Sequence, residues 1–234
     1  MQAIVLAGGK GARLKPFTNA IPKPLVPIGD MPILEVVLRQ LKKHGFTHVT
    51  LAVNHLARLI EAFFGDGEQL GLHIDYSLED RAMGTAGPLK LLKNLDDQFL
   101  GMNGDLLTTL DYSRLMSFHL ENRCDITIGT FAKKLKIDLG VVESEGPRFL
   151  NYIEKPTYSF MVSMGVYALN RGVVASIPDG QPFDMPDLVL SQKRMGKTVM
   201  CFMADCEWLD IGRVDDYETA VELFESSRER YLPG

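Results

Sequence analysis

Cysteine is scarce. Cys124, Cys201 and Cys206 are the only three in 234 residues, and no two form a C-x-x-C pair. That excludes the usual zinc-knuckle and dithiol spacings and predicts a reduced, cytoplasmic chain without structural disulfides. Histidine is thin as well. Five are scattered along the chain, and although His44 and His48 are four apart, Gly45 breaks any helix between them. The spacing is wrong for a metal-ligand pair. No apolar run approaches the ~20 residues needed to span a bilayer, so no membrane association is expected. The apolar start, Ile4 to Ala7, is too short for a signal peptide and lacks its basic flank. Positive charge is not in excess: the net charge of −5 argues against a nucleic-acid-binding surface and leaves room for a local basic site with a small anionic ligand. There is also no linker-like composition, repeat or low-complexity tract. One domain over residues 1–234 is expected.

What is present is an alternation of strand-like and helix-like segments. Residues 2–7 read as a buried strand, and 32–43 carry helical periodicity with Gly45 where a C-terminal cap belongs. Strands follow at 49–53, 73–76, 99–103 and 125–131, and helices at 56–64, 86–95 and 112–122, the last with Asp111 as N-cap. Pro88 is tolerable only in the first turn of its helix. This order predicts an α/β fold, a Rossmann-like three-layer sandwich around a mostly parallel, mixed central sheet. Beyond Phe131 the pattern becomes mixed. Strands are predicted at 140–143, 149–153, 163–169 and 197–202, and helices at 186–195 and 214–229. The final SSRERYLPG reads as a frayed helix end. Two functional halves are expected, residues 1–131 and 132–234.

The most informative stretch is AIVLAGGKGARLKPFTNAIPKPLVPI, residues 3–28. A strand running into Gly8, Gly9 and Gly11 offers bare backbone to an anion, and Arg13 and Lys23 add charge. Two standard phosphate motifs do not fit. The spacing of G-x-x-x-x-G-K-[ST] is absent, and in G-x-G-x-x-G the third glycine would be Leu14. Four prolines between residues 16 and 27 also keep a helix from following at once.

The stretch resembles the signature of the sugar-1-phosphate nucleotidylyltransferases, and later family motifs follow in order: MGTAG (83–87), NGD (103–105), GVV (140–142), EKP (154–156), GVY (165–167) and WLDIG (208–212). The resemblance covers essentially the whole chain, and it implies that residues 1–131 bind mainly nucleotide and 132–234 mainly the sugar phosphate. It is to the short form, near the mannose-1-phosphate and heptose-1-phosphate guanylyltransferases. It implies attack by a sugar 1-phosphate oxygen on the α-phosphorus of a nucleoside triphosphate, with release of pyrophosphate. That oxygen is already anionic, so neither a general base nor a protein nucleophile is needed. The task is positioning and neutralisation, because like charges 4 Å apart repel by roughly 4 kcal/mol at an effective dielectric near 20.

By the same resemblance, Gly8, Gly9 and Gly11 hold the nucleotide, Arg13 grips the departing phosphates, and Lys23 sits near the phosphates in transfer. Asp105 and Asp210 coordinate Mg²⁺. Leu6, Gly84, Thr85 and Asn103 contribute to nucleotide binding. On the sugar side the resemblance implies Gly140, Glu154 and Lys155, with Glu154 accepting from ring hydroxyls and Lys155 paired with the sugar phosphate. Ser163 stands where many relatives have Asn, which leaves the sugar open. Glu79 falls where thymidylyl members have Gln. A carboxylate matches the adjacent N1–H and N2–H of guanine, so GTP is favoured, with thymidylyl or uridylyl transfer as the alternative. A GT-A-like glycosyltransferase or a catalytically silent nucleotide-sugar sensor are alternatives of other classes. A homodimer is compatible with the family. The larger members' C-terminal β-helix has no room here.

Overall fold

The computed structural model describes residues 1–9, 11–54 and 56–232. The first strand, β1 (Gln2–Leu6), leads through short 3₁₀ turns and the two-residue strands β2 (Pro27–Ile28) and β3 (Met31–Pro32) into α1 (Ile33–Lys43). Then come β4 (His48–Val53), α2 (Ala57–Phe64), β5 (His73–Leu78) and β6 (Gln98–Asn103). After β7 (Leu106–Thr108) and α3 (Tyr112–Glu121) runs the long strand β8 (Ile126–Lys136). A hairpin, β9 (Val141–Glu145) and β10 (Arg148–Ile153), precedes β11 (Thr157–Asn170). The chain continues through α4 (Met185–Arg194), β12 (Val199–Met203), β13 (Trp208–Asp210), α5 (Val214–Ser226) and α6 (Arg228–Tyr231).

Seven strands make the main sheet, in the order β12-β8-β11-β6-β1-β4-β5. β11 is antiparallel to both of its neighbours, β6 and β8, and the other pairings are parallel. Alternation along the strands sends side chains to two cores. Ala3, Val5, Leu100 and Met102 join Leu34, Ile60 and Leu115 of α1, α2 and α3 on one face. Ile4, Phe99 and Leu169 meet Met185 and Leu188 of α4 on the other. The result is the three-layer, mixed but mostly parallel α/β architecture expected from the sequence.

The topology fixes where a ligand can bind. From β1 the chain steps outward to β4 and β5, then returns to the opposite side of β1 as β6. The strand order reverses between β1 and β6. In open α/β sheets the crevice at the carboxyl ends of such a pair is the ligand site. Leu6 and Asn103 are the last register partners of these two strands.

Three segments differ from expectation. Residues 86–95 form a 3₁₀ segment over Gly87–Leu91 rather than an α-helix. Ala86, Leu89, Leu92 and Leu95 recur every third residue and face one core, which is the period of a 3₁₀ turn. The N–H groups of Ala86 and Gly87 both donate to the Phe183 carbonyl. The helix expected over 214–229 breaks at Ser227, whose φ of −147° and ψ of 41° are not helical, and α6 follows. Nor does residue 226 onward fray. Tyr231 is 1% exposed, its hydroxyl donates to Glu207, and its carbonyl accepts from Gln40 Nε2 at 2.9 Å. Pro233 and Gly234, the end of that stretch, lie outside the described residues.

Candidate active site

Two cavities adjoin at the carboxyl ends of β1 and β6. One, of about 350 Å³, is bordered by Gly8, Gly9, Lys23, Glu79, Gly84 and Asp105. The other, of about 260 Å³, is bordered by Ser163, Met164, Gly165, Tyr167, Trp208 and Asp210. Leu6, Thr85 and Asn103 belong to both. The shared wall is thus the switch point itself, plus one loop residue.

The glycine loop is shaped by what crowds it. A Cβ on Gly8 would lie 2.9 Å from Glu79 Oε1, so bare backbone lets the β5 end close on β1. Gly11 has φ 59°, a left-handed conformation that L side chains rarely adopt. A Cβ there would meet Thr18 Cγ2 at 2.8 Å and Lys23 Cβ at 3.1 Å. Thr18 Oγ1 donates back to the Gly11 carbonyl at 2.8 Å, tying the loop to the next turn. Lys10, within this loop, is outside the described residues.

Lys23 opens a 3₁₀ turn between Pro22 and Pro24. Its ammonium pairs with the Asp105 carboxylate, their side chains 12% and 20% exposed. Asp105 directly follows β6 and Gly104, whose N–H donates to the Leu6 carbonyl. Asp210 arrives from the other end of the sequence. β13 pairs antiparallel with β7, placing Asp210 opposite Leu106, and the Ile211 N–H donates to the Asp105 carbonyl at 3.1 Å. The two acids therefore sit side by side. Partial burial raises the Asp210 pKa, and the Asp105 carboxylate raises it further, while Lys23 and Arg13 oppose the rise. Arg13 borders neither cavity, but its guanidinium packs on Gly212, two residues past Asp210. A doubled negative charge with two cations around it is a place where divalent metal and phosphate charge can be balanced.

Glu79 is 8% exposed, not a solvated turn residue. Burial lifts its pKa, countered by the Met83 N–H, which donates to Oε2 at 3.1 Å. Asn54 Nδ2 donates to the Glu79 carbonyl and also borders the larger cavity. In the smaller cavity Ser163 Oγ is 2.8 Å from Tyr167 Oη, and Trp208 Nε1 donates to the Met164 carbonyl at 2.9 Å. Thr85 is committed to structure: its N–H and hydroxyl both donate to Asp184 Oδ1, ahead of α4. The backbone of Gly84, at φ 77°, packs against the Phe183 carbonyl.

Three expected residues lie elsewhere. Gly140, Glu154 and Lys155 border neither cavity. Glu154 and Lys155 occupy the turn between β10 and β11, 62% and 59% exposed, with the charged atoms 3.9 Å apart. Gly140 packs under Tyr152 of β10. Sequence reading missed Asn54 and Tyr167. Tyr167 lay inside the quoted GVY motif, whereas Asn54 carried no signal beyond its place just after a strand.

A glycine loop at a sheet switch point thus lies beside a pair of neighbouring acids. The chain belongs to the nucleotidyl transferase family, whose profile matches residues 2–227. It is 36% identical to a UTP–glucose-1-phosphate uridylyltransferase of Synechocystis sp., over all of this chain and 66% of that one. It is 32% identical to a mannose-1-phosphate guanylyltransferase of Mycobacterium tuberculosis, over 93% of this chain and 62% of that one. The chain thus spans about two thirds of the length of these relatives. A D-glycero-α-D-manno-heptose 1-phosphate guanylyltransferase of Aneurinibacillus thermoaerophilus is 30% identical, with 94% of this chain and 96% of that one covered. Among solved structures, HddC from Yersinia pseudotuberculosis in complex with GMP-PN shares the fold at 22% identity and TM-score 0.73, covering 95% of this chain and 99% of that one.

Proposed function

We propose that the chain transfers a nucleotidyl group from a nucleoside triphosphate, with GTP preferred, to a mannose- or heptose-type sugar 1-phosphate. The observation that carries this is the meeting of Lys23, Arg13, Asp105 and Asp210 beside the wall shared by two cavities. One cavity takes the nucleotide at Gly8, Gly9 and Glu79, and the other takes the sugar at Ser163 and Tyr167. This keeps the N-terminal half mainly for nucleotide and the C-terminal half mainly for sugar. The donor set suits Mg²⁺: two carboxylates on adjacent backbone, no imidazole or thiolate among the described residues that border the cavities, and space for waters. Asp105 and Asp210 would hold the ion, which when bound neutralises and bridges phosphate oxygens. Lys23, released from Asp105, is free to pair with phosphate in transfer, and Arg13 with the leaving pyrophosphate. The bared Gly8 and Gly11 keep this cradle close to the switch point. Gly140, Glu154 and Lys155 are assigned to the sugar side by family resemblance alone, since none of them borders either cavity.

Guanine preference rests on Glu79. Oε2 is taken by the Met83 N–H, and Oε1 faces the Gly8 side of the cleft, available to the paired N–H donors of a guanine edge. The guanylyltransferase relatives support it. The uridylyltransferase relative keeps uridylyl or thymidylyl transfer to glucose 1-phosphate as the second reading. A pyrophosphate-release assay with five NTPs, several hexose and heptose 1-phosphates and Mg²⁺ tests both. Turnover with GTP above the rest supports the first reading. Turnover only with UTP or dTTP replaces it with the second, and no turnover with any pair rejects both.

A further inference from the structure

At the end of the sheet opposite the cleft, β4 and β5 open with His48 and His73, which are register partners in the parallel ladder. Register partners project to the same face, and Asp75, two residues after His73, shares it. His48 Nε2 lies 2.7 Å from Asp75 Oδ2, and His73 Nε2 lies 3.5 Å from Asp75 Oδ1. The two imidazole centroids are 5.1 Å apart. One donor atom from each residue can be chosen so that all lie within 4.8 Å of one another.

We propose that His48, His73 and Asp75 bind a transition-metal ion of the Zn²⁺ type, which staples the edge strand β5 to β4. Two imidazole nitrogens and a carboxylate oxygen form a donor set for zinc, cobalt or nickel, not for Mg²⁺, which prefers oxygen and keeps its waters. Donors 2.0–2.1 Å from a tetrahedral ion stand about 3.3 Å apart. The observed separations bracket that value, so rotation of three partly exposed side chains suffices. The ladder already fixes the three Cα positions, and the ion does not have to order backbone. Both Nε2 atoms converge on one carboxylate, which offers each histidine a different oxygen. Three protein ligands leave a fourth position for water. From His48 to the cleft end of β4 at Val53 is roughly 16 Å at about 3.3 Å per residue, so this ion is separate from the one proposed at Asp105 and Asp210.

The test is a Co²⁺ titration of the untagged, metal-stripped full chain, read by visible absorption. One equivalent should develop a d–d band, and Zn²⁺ should bleach it. Excess Mg²⁺ should not. His73→Ala and Asp75→Asn, both at exposed positions, should each abolish the band while leaving nucleotidyl transfer unchanged. With free Zn²⁺ at 100 times its Kd, Tm should rise by about 5–10 °C in the parent chain and not in the variants. Absence of both band and Tm shift overturns the proposal. So does a band that survives His73→Ala, since the ligands would then lie elsewhere.

Discussion

Replacing Gly11 with alanine adds one methyl group at a position with no room and the wrong dihedral. The left-handed backbone costs about 1–2 kcal/mol for a residue with a Cβ. The methyl then presses on Thr18 and Lys23. Because Lys23 is paired with Asp105, its displacement reaches the acids at the centre of the proposed site. Gly11→Ala should lower kcat/KM for pyrophosphate release by about 10²-fold, the usual cost of an ångström-scale misplacement. On the proposed function, Arg13→Ala should cost about 10³-fold, with little change in Tm, since Arg13 is exposed. At Glu79 the expected effect is on choice rather than rate. Glu79→Gln turns an acceptor-only group into one that donates and accepts, so the ratio of kcat/KM for GTP over UTP should fall by about 10–100-fold, the worth of one charged hydrogen bond. Steady-state assays with each NTP read both numbers. Gly11 and Arg13 were legible because glycine, proline and charge stand close together in one loop, and Glu79 only through the family resemblance. Asn54 was not, because an isolated asparagine after a strand reads as an ordinary turn residue and acquires meaning only when β5 brings Glu79 beside it.

At the scale of elements, α3 is held down by a buried histidine. His119 Nδ1 is 2.9 Å from Thr127 Oγ1 on β8, and Nε2 is 2.6 Å from Gln98 Oε1 on β6. Burial lowers the His119 pKa, with Asp125 opposing, and burial lowers that of His44, with Asp111 opposing. Folded values below the ordinary 6.5 mean that the unfolded chain takes up protons first as pH falls. Stability from these groups is therefore full above about pH 6.5 and is lost below it, down through the folded pKa, by up to about 1.4 kcal/mol per pH unit for each histidine. Urea denaturation at pH 7.5 and 5.5 should show the loss, and His119→Gln should reduce it to the share that His44 supplies. Helices with a 3.6-residue stripe and a stop, such as α1 before Gly45, were readable from sequence. Residues 86–95 were misread because a three-residue apolar spacing resembles a helical one until hydrogen bonding decides, and here the N–H groups of Ala86 and Gly87 are drawn to Phe183, 97 and 96 residues further on.

For the molecule as a whole, the C-terminal residues close a third core. Phe224 and Tyr231 pack with Leu14, Ile28 and Ile211, so α5 and α6 brace the segment that carries Arg13 and the strand that carries Asp210. Tyr231→Ala should cost about 3 kcal/mol and lower Tm by roughly 6–12 °C in calorimetry. Nothing in SSRERYLPG announces this, since one aromatic among charges looks like a surface helix until Gln40 and Glu207 are seen to meet it. The parallel half of the sheet, by contrast, was plain from the alternation of strand and helix. The position of β11 was not, because strand order is set by pairings between residues far apart in sequence.

That strand is sewn between β6 and β8, both of which leave the ribosome before it does. A fragment ending at residue 137, just past β8, would leave one bare edge on β6 and two on β8, and a fragment starting at 138 would carry β11 and β12 with nothing to pair. Cut there and co-expressed, the two pieces should find each other by threading β11 into the gap, and neither should accumulate in folded form alone.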